Sequence, residues 1–199
     1  MRPMLIAVCG VDGVGKTTVA KEIARRIDFV YLKTPPEKYD PMRPLFDEES
    51  VPGFTRFAFY LGCVFDSAVR IREILATGRG VIADRYLLSL QIYHEVLTQR
   101  DLTGFIEMVG FPRADLNLVL TASASTAQER LKSRANPGSG ERLERDTEFM
   151  RSVAMRFADL GPDQATQVDT EGRSVEEIVT ECVCLVEARH GDPGELKTT

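Results

Sequence analysis

Hydrophobic residues fall along this chain in short continuous runs, which alternate with longer segments where apolar positions recur with a helical period. A short continuous run is typical of a strand buried in a parallel sheet, and the longer period is typical of an amphipathic helix. The runs predict five strands, at residues 4–9, 28–32, 80–83, 116–120 and 167–169. The helical pattern covers residues 17–27, 53–75, 87–99, 126–134, 142–160 and a last segment after Ser174.

This alternation predicts the α/β class, with a five-stranded parallel sheet flanked by helices and joined by right-handed crossovers. Ser174 and Glu177 have the spacing of a capping box, so the last helix is expected to begin there. Ligands of such sheets bind at the carboxyl ends of the strands. The residues that follow each strand are therefore the first place to look for chemistry.

The turn between the first strand and the first helix carries a phosphate-binding pattern. Residues 10–17 fit G-x-x-x-x-G-K-[ST], in the strand–loop–helix setting that the pattern requires. Glycines let the backbone N–H groups point inward, and the start of the helix adds its dipole. Lys16 is expected to reach the β- and γ-phosphates of a nucleotide, and the Thr17 hydroxyl to bind Mg²⁺. The predicted phosphate-binding residues are Gly10, Val11, Asp12, Gly13, Val14, Gly15, Lys16, Thr17 and Thr18.

Two charged residues end the third predicted strand. Asp84 follows apolar residues at a strand end, which suits a carboxylate that helps Thr17 to hold Mg²⁺; the alternative is an ordinary salt bridge with Arg85. Arg85 is the best candidate to hold an acceptor phosphate, because a guanidinium grips phosphate through two parallel hydrogen bonds. Lys16 and Arg85 are accordingly predicted to be catalytic.

Composition narrows the class further. A chain of 199 residues suits one domain, predicted over 1–190 with a flexible tail at 191–199. The net charge of −5 gives no electrostatic case for nucleic acid or an anionic membrane, and neither a signal peptide nor a membrane span is predicted. The four cysteines lack the spacing of a zinc site and are expected to be buried free thiols, in keeping with a cytoplasmic location. They are Cys9, Cys63, Cys182 and Cys184.

Several motifs in order make the chain similar to the thymidylate kinase family of P-loop nucleoside monophosphate kinases. The P-loop with Asp12 resembles the family's loop, and residues 84–93 resemble its DRY-x-x-S-x-x-A-Y segment closely. Asp115-Leu116, the arginine-rich stretch 130–157, Val168-Asp169 and residues 175–178 resemble further family segments. The resemblance implies a P-loop NTPase fold with a lid, ATP as co-substrate, Mg²⁺, phosphorylation of dTMP to dTDP, and a homodimer paired through helices.

The same resemblance implies roles for individual residues. Arginines flank a glycine-rich loop, and closing this lid at about 134–145 would bring Arg134 or Arg142 onto the transferring phosphates and exclude water. Arg130 and Arg145 are further candidates for that role. The implied acceptor-binding residues are Asp12, Lys33, Arg43, Phe59, Arg85, Ser89 and Tyr93, with Phe59 and Tyr93 beside the base or equally placed in the core.

Departures from the family pattern concentrate on the acceptor side. Lys33 stands where the family has an arginine, Cys63 replaces the cation that usually follows the base-stacking phenylalanine, and His94 replaces a glutamine. A specialised nucleotide kinase with a different acceptor is therefore an alternative. A nucleoside kinase on the same fold is another; it would need a general base near the second strand, where no carboxylate occurs before Glu37. An ATP-binding module without turnover is a third.

Overall fold

Five parallel strands form one sheet in the order β2-β3-β1-β4-β5 in the computed structural model, which describes residues 2–132 and 147–191. The strands are β1 (Leu5–Cys9), β2 (Val30–Lys33), β3 (Val81–Asp84), β4 (Leu116–Thr121) and β5 (Thr166–Asp169). All neighbouring pairs are parallel. The predicted α/β class and five-stranded parallel sheet are confirmed.

Helices cover both faces of this sheet. They are α1 (Lys16–Ile27), α2 (Arg43–Phe46), α3 (Gly53–Ala76), α4 (Leu87–Thr98), α5 (Thr103–Met108), α6 (Ala124–Lys132), α7 (Thr147–Ala158) and α8 (Val175–Gly191), with a 3-10 turn at Glu37–Tyr39. On one face α1 and α8 pack together through Ile23, Cys182 and Val186. On the other face α3, α4 and α7 contribute Ile71 and Phe157 to a second core.

The register of the parallel strands aligns the carboxyl ends of β1, β2 and β3, which carry or precede polar residues. Val8 of β1 pairs with Asp84 of β3, and Asp84 pairs with Lys33 of β2. Strands β3 and β2 lie on one side of β1, and the later strands β4 and β5 lie on the other side. The reversal of strand order beside β1 leaves a crevice outside the carboxyl ends of the strands, where α/β proteins bind ligands.

Most predicted elements agree with the structure to within a few residues, and the capping box is confirmed by hydrogen bonds between Ser174 and Glu177. Helix α5 was not predicted, since its six residues are too few for a period to show. The expectation that all four cysteines are buried was wrong for Cys184, which lies on the solvent side of α8.

The predicted lid at 134–145 falls wholly within residues 133–146, and all but the first residue of the predicted tail falls within 192–199; residues 133–146 and 192–199 lie outside the described part of the chain. Across the part of the chain that is described, no helix is both long and apolar enough to cross a membrane.

Candidate active site

A cavity of about 250 Å³ opens at the carboxyl ends of β1, β2 and β3. The P-loop and the end of β3 form one side of it, and α3 and α4 form the other. It gathers residues from five parts of the sequence, at 12–17, 33–47, 56–64, 84–97 and Phe149 of α7. The predicted site residues that line it are Asp12, Lys16, Thr17, Lys33, Arg43, Asp84, Arg85, Ser89 and Tyr93.

The P-loop takes its shape from glycines, and at Gly10 and Gly13 a larger residue would displace neighbouring backbone atoms. Gly10 and Gly13 have φ of +128° and +91°, in the region that favours glycine. A Cβ at Gly13 would lie 2.2 Å from the carbonyl oxygen of Ala127, and one at Gly10 would lie 2.3 Å from that of Leu120. The loop therefore packs directly against the backbone of β4 and α6.

The other P-loop residues divide between the core and the site. Val14 is fully buried among the residues under α1 and α8, while Val11 is half-buried. Gly15 immediately precedes α1 with φ of +94°, and Thr18 lies exposed in the first turn of that helix. The start of α1 therefore faces the crevice with its unpaired backbone N–H groups, as an anion site requires.

Lys16, Asp12 and Arg85 form a charged cluster at the floor of the cavity, in which Lys16 and Asp12 are buried and Arg85 is partly exposed. The Lys16 Nζ donates to the Val11 carbonyl at 2.6 Å and to Asp12 Oδ1 at 3.2 Å. The Arg85 guanidinium donates to the same Asp12 oxygen. Burial lowers the pKa of Lys16, and repulsion from Arg85 acts in the same direction. Lys16 and Arg85 are both placed where they could donate to the oxygens of an incoming phosphate.

Asp84 and Thr17 face each other across the P-loop. The Thr17 hydroxyl donates to Asp84 Oδ2 at 2.6 Å, and the Tyr31 hydroxyl donates to the same oxygen at 3.1 Å. The alternative prediction, a salt bridge between Asp84 and Arg85, was wrong, because Arg85 turns towards Asp12 instead. A hydroxyl and a carboxylate oxygen this close are hard donors of the kind that Mg²⁺ prefers, with phosphate oxygens and water completing its shell.

Residues of the acceptor side hold one another through hydrogen bonds and ion pairs. Lys33 Nζ donates to Asp40 Oδ2 at 2.7 Å. Arg43 donates from Nε to the Tyr60 hydroxyl at 3.3 Å. The Tyr93 hydroxyl donates to Asp12 Oδ2 at 3.3 Å, and the Arg85 guanidinium lies over the Tyr93 ring, 5.2 Å from its centroid. The Ser89 Oγ is buried with no hydrogen-bond partner among the described residues.

Phe59 does not line the cavity, contrary to the role expected for it. Its ring stacks on that of Phe46 at 4.1 Å, and the neighbouring Tyr60 lines the cavity instead. Successive helical residues are rotated by about 100°, so only one of two neighbours can face inward. Arg56, Tyr60 and Val64, each four residues apart on α3, make up the inward row.

Six polar residues that line the cavity were missing from the predicted set of site residues, although His94 stood out as a departure from the family pattern. They are Thr34, Asp47, Arg56, Tyr60, Tyr86 and His94. Burial raises the pKa of Asp47 and lowers that of His94 to about 4. The four-residue spacing from Arg56 to Tyr60 was the available signal for Arg56, but it becomes informative only once the inward face of α3 is known.

The lid arginines divide between described and undescribed parts of the chain. Arg134 and Arg142, and with them Arg145, lie outside the described residues. Arg130 is described; it donates to the hydroxyl and the carbonyl of Thr170, both at 2.9 Å, just beyond β5. Within the described residues, no group of three or more His, Cys, Asp or Glu side chains is arranged to hold a metal ion.

Comparison with known proteins agrees with this arrangement. The sequence model of thymidylate kinase matches residues 8–182. A probable thymidylate kinase from Pyrobaculum calidifontis is 31% identical over 194 residues, covering 92% of this chain and 96% of the relative. A thymidylate kinase structure from Candida albicans superimposes with a TM-score of 0.74 at 20% identity, covering 95% of this chain and 93% of that one. A deoxyadenosine kinase from M. mycoides gives 0.70 at 20% identity, covering 93% and 100%. The chain therefore belongs to the thymidylate kinase family of phosphotransferases.

Proposed function

We propose that this protein transfers the γ-phosphoryl group of ATP to a nucleoside monophosphate, with dTMP as the expected acceptor and dTDP as the product. The observation that carries the proposal is the cluster at Asp12. There the donor-side Lys16 and the acceptor-side Arg85 share one carboxylate at the floor of a single cavity. Two phosphates bound from opposite sides would meet at this point. Phosphoryl transfer depends chiefly on such positioning and on the neutralisation of charge.

On the donor side, the P-loop backbone and Lys16 would hold the β- and γ-phosphates of ATP. Thr17 and Asp84, which hydrogen-bond to each other, would hold Mg²⁺ directly or through water beside those phosphates. Bound Mg²⁺ neutralises charge on the phosphate oxygens. The positive charges of Lys16 and Arg85 would draw the transferring group towards them. Arg134 and Arg142 remain proposed contributors from the lid.

On the acceptor side, Arg85 is proposed to grip the phosphate of the monophosphate, with Lys33 and Arg43 further along the cavity wall. Asp12 is proposed to accept a hydrogen bond from the sugar hydroxyl, and Tyr93 to pack beside the base. Ser89, whose hydroxyl is buried at the cavity wall, is proposed to bind the acceptor. An acceptor phosphate is already an anion, so this chemistry needs no general base.

A nucleoside kinase remains the second candidate because of one carboxylate. Asp47 lines the cavity, and its raised pKa would suit a general base. Its Oδ1 accepts from the Tyr60 hydroxyl at 2.7 Å, and its Oδ2 lies 3.9 Å from Arg43 Nε. The bond to Tyr60 favours a structural task for Asp47, whereas Oδ2 is buried with no hydrogen-bond partner among the described residues. The alternative predicts phosphorylation of thymidine rather than dTMP.

A homodimer is proposed through an exposed apolar row on α3. Phe54, Phe65 and Val69 are 56%, 46% and 53% exposed, and the small residues Ala58 and Gly62 lie between them at helical spacing. The segment 57–65 was predicted to supply such a face, but Phe57, Cys63 and Val64 within it are buried. A cytoplasmic location and the absence of nucleic-acid binding stay predictions.

The experiment that tests the function is a panel of nucleoside monophosphates and thymidine, each incubated with ATP and Mg²⁺ and followed by ADP release. Release that depends on dTMP, and that is lost in Lys16→Ala, is expected. Lys21→Ala is the matched control, because Lys21 lies exposed on the same helix and outside the cavity. Release with thymidine alone would favour the nucleoside kinase. Undiminished release in Lys16→Ala would overturn the assignment of the P-loop.

A further inference from the structure

Glu95 is a buried carboxylate that the proposed chemistry does not use. It is 6% exposed and lies on α4, two residues beyond Tyr93. The Gln91 side-chain amide donates to its Oε1 at 3.0 Å, and the Leu102 backbone N–H donates to the same oxygen at 3.1 Å. Its other oxygen, Oε2, accepts from Arg156 Nη2 at 2.5 Å. Since Arg156 belongs to α7, the carboxylate ties α4 both to the segment that follows it and to α7.

The ion pair between Glu95 and Arg156 is unequal in its exposure to water. The side chain of Glu95 is 5% exposed and that of Arg156 is 55% exposed. Taking a carboxylate out of water costs about as much free energy as a buried ion pair returns, so such a pair adds little net stability. Removing the cation alone is nevertheless strongly unfavourable, because the carboxylate would stay buried and unpaired. The pair therefore constrains where α7 lies on α4 more than it stabilises the fold.

Helix α7 packs two aromatic rings against Tyr93. Phe149 and Phe157 meet the Tyr93 ring edge-on, with centroids 6.1 and 6.3 Å away and planes inclined at 63° and 69°. Phe149 lines the cavity, and Phe157 is buried in the core directly after Arg156. The position of α7 on α4 thus determines how the Tyr93 ring is held.

On its other side Tyr93 contacts the charged cluster at the floor of the cavity. Its hydroxyl donates to Asp12 Oδ2 at 3.3 Å, and the Arg85 guanidinium lies 5.2 Å from the centroid of its ring. Asp12 and Arg85 also bind each other. A shift of Tyr93 would therefore disturb both residues that are proposed to hold the acceptor. A displacement of about 1 Å in such groups can lower turnover about 100-fold.

We propose that the Glu95–Arg156 ion pair positions Tyr93 for the acceptor nucleotide. The pair fixes α7 on α4, so that the two phenylalanines of α7 keep the Tyr93 ring beside Arg85 and its hydroxyl on Asp12. Neither Glu95 nor Arg156 is among the described residues that line the cavity, so both act through Tyr93 and not by touching a nucleotide. The inference rests on the proposed function and extends it to residues outside the site.

The donor side is expected to respond much less. Thr17 is held by Asp84, and Lys16 donates to the Val11 carbonyl, so neither contact runs through α7. Loss of the ion pair should therefore raise the KM for the acceptor and leave the KM for ATP close to that of wild type. An ion pair that only stabilised the fold would lower the free energy of unfolding and change neither KM.

The test compares Glu95→Gln, Arg156→Met, Arg156→Lys and the double variant Glu95→Gln/Arg156→Met with wild type, using ADP release at varied dTMP and varied ATP. Glu95→Gln and Arg156→Met should each raise the KM for dTMP about 10-fold and change the KM for ATP less than about twofold. Arg156→Lys keeps the charge and should recover most of the wild-type KM. The double variant should be no worse than either single variant, because both remove the same interaction.

Arg151→Met is the matched control, because Arg151 is an exposed arginine on the same helix. Urea denaturation measures the stability of every variant. Glu95→Gln leaves no carboxylate unpaired in the interior and carries the test if Arg156→Met does not fold. An unchanged KM for dTMP in folded Glu95→Gln, or additive losses in the double variant, would overturn the inference.

A measurement without nucleotide separates this inference from the proposed function. The ring signals of the 5 tyrosines are recorded by NMR on ligand-free protein, and that of Tyr93 is identified by its loss in Tyr93→Phe. The Tyr93 signal should shift in Glu95→Gln and stay in place in Arg151→Met. An unmoved signal in Glu95→Gln would overturn the inference, whereas absence of ADP release with every monophosphate would contradict the proposed function alone.

Discussion

Acidification is expected to destabilise this protein through His94. The ring is buried against Phe57 and Tyr60 and donates through Nδ1 to Leu90, so protonation would place a second charge beside Arg56. Its pKa falls from an ordinary 6.5 to about 4 in the folded protein. The unfolded chain therefore binds this proton more readily than the folded one. The contribution of neutral His94 to the unfolding free energy is present above pH 6.5 and is lost progressively as the pH falls towards 4.

The size of the effect follows from the same two values. Each pKa unit corresponds to about 1.4 kcal/mol, so the full change from 6.5 to about 4 amounts to about 3 kcal/mol. Between pH 7 and pH 5 the expected loss is about 2 kcal/mol, because at pH 5 the ring remains neutral when folded and is protonated when unfolded. A typical domain has only about 5–15 kcal/mol of stability, so this loss is measurable.

Urea denaturation at pH 7 and pH 5 checks this prediction. Wild-type protein should lose about 2 kcal/mol more unfolding free energy between the two conditions than His94→Gln, which cannot titrate there. His190→Gln is the control, since the chain has just these 2 histidines and this variant keeps His94. Equal losses in wild type and His94→Gln would refute the reasoning that His94 is neutral in the folded protein.

Three further predictions address the P-loop and the last helix. Thr17→Ala should lower kcat about 100-fold because it removes the hydroxyl beside Asp84, while Thr18→Ala, exposed next to it, should leave turnover near wild type; steady-state ADP release compares them. Gly13→Ala should cost more than about 2 kcal/mol, because φ is +91° and the new Cβ meets the Ala127 carbonyl. Gly110→Ala should cost about 1 kcal/mol, because φ is +68° there but the space is open; equal shifts in urea denaturation would contradict this. Ser174→Ala should lower the unfolding free energy by about 1 kcal/mol through the lost N-cap and leave ADP release unchanged, so a loss of activity would count against a purely structural role.

The sequence alone predicted those features whose interacting residues lie within one short segment. The P-loop is recognisable because its glycines, Lys16 and Thr17 act within eight consecutive residues between a strand and a helix. The capping box at Ser174 and Glu177 is predictable for the same reason, since its partners are three residues apart. The five apolar runs likewise predicted the sheet, because strands buried on both faces must be apolar throughout.

Packing between distant segments determines which residues face the cavity on the proposed acceptor side. Phe59 and Tyr60 are neighbours with similar side chains, and only the rotation of α3 against α4 determines which of them faces the cavity. Arg85 follows Asp84 directly, yet its partner is Asp12, 73 residues away in sequence. No local pattern contains that pairing.

The sequence by itself therefore predicted the fold class, through periodicity, and the P-loop, through residues within one short segment, while the family was predicted from the resemblance of several motifs. The tertiary structure alone decided that Arg56 and His94 line the same cavity. They are 38 residues apart and belong to different helices, with α3, β3 and the start of α4 between them. Their proximity arises from the packing of α3 on α4, which also buries the charge of Arg56 and keeps His94 neutral.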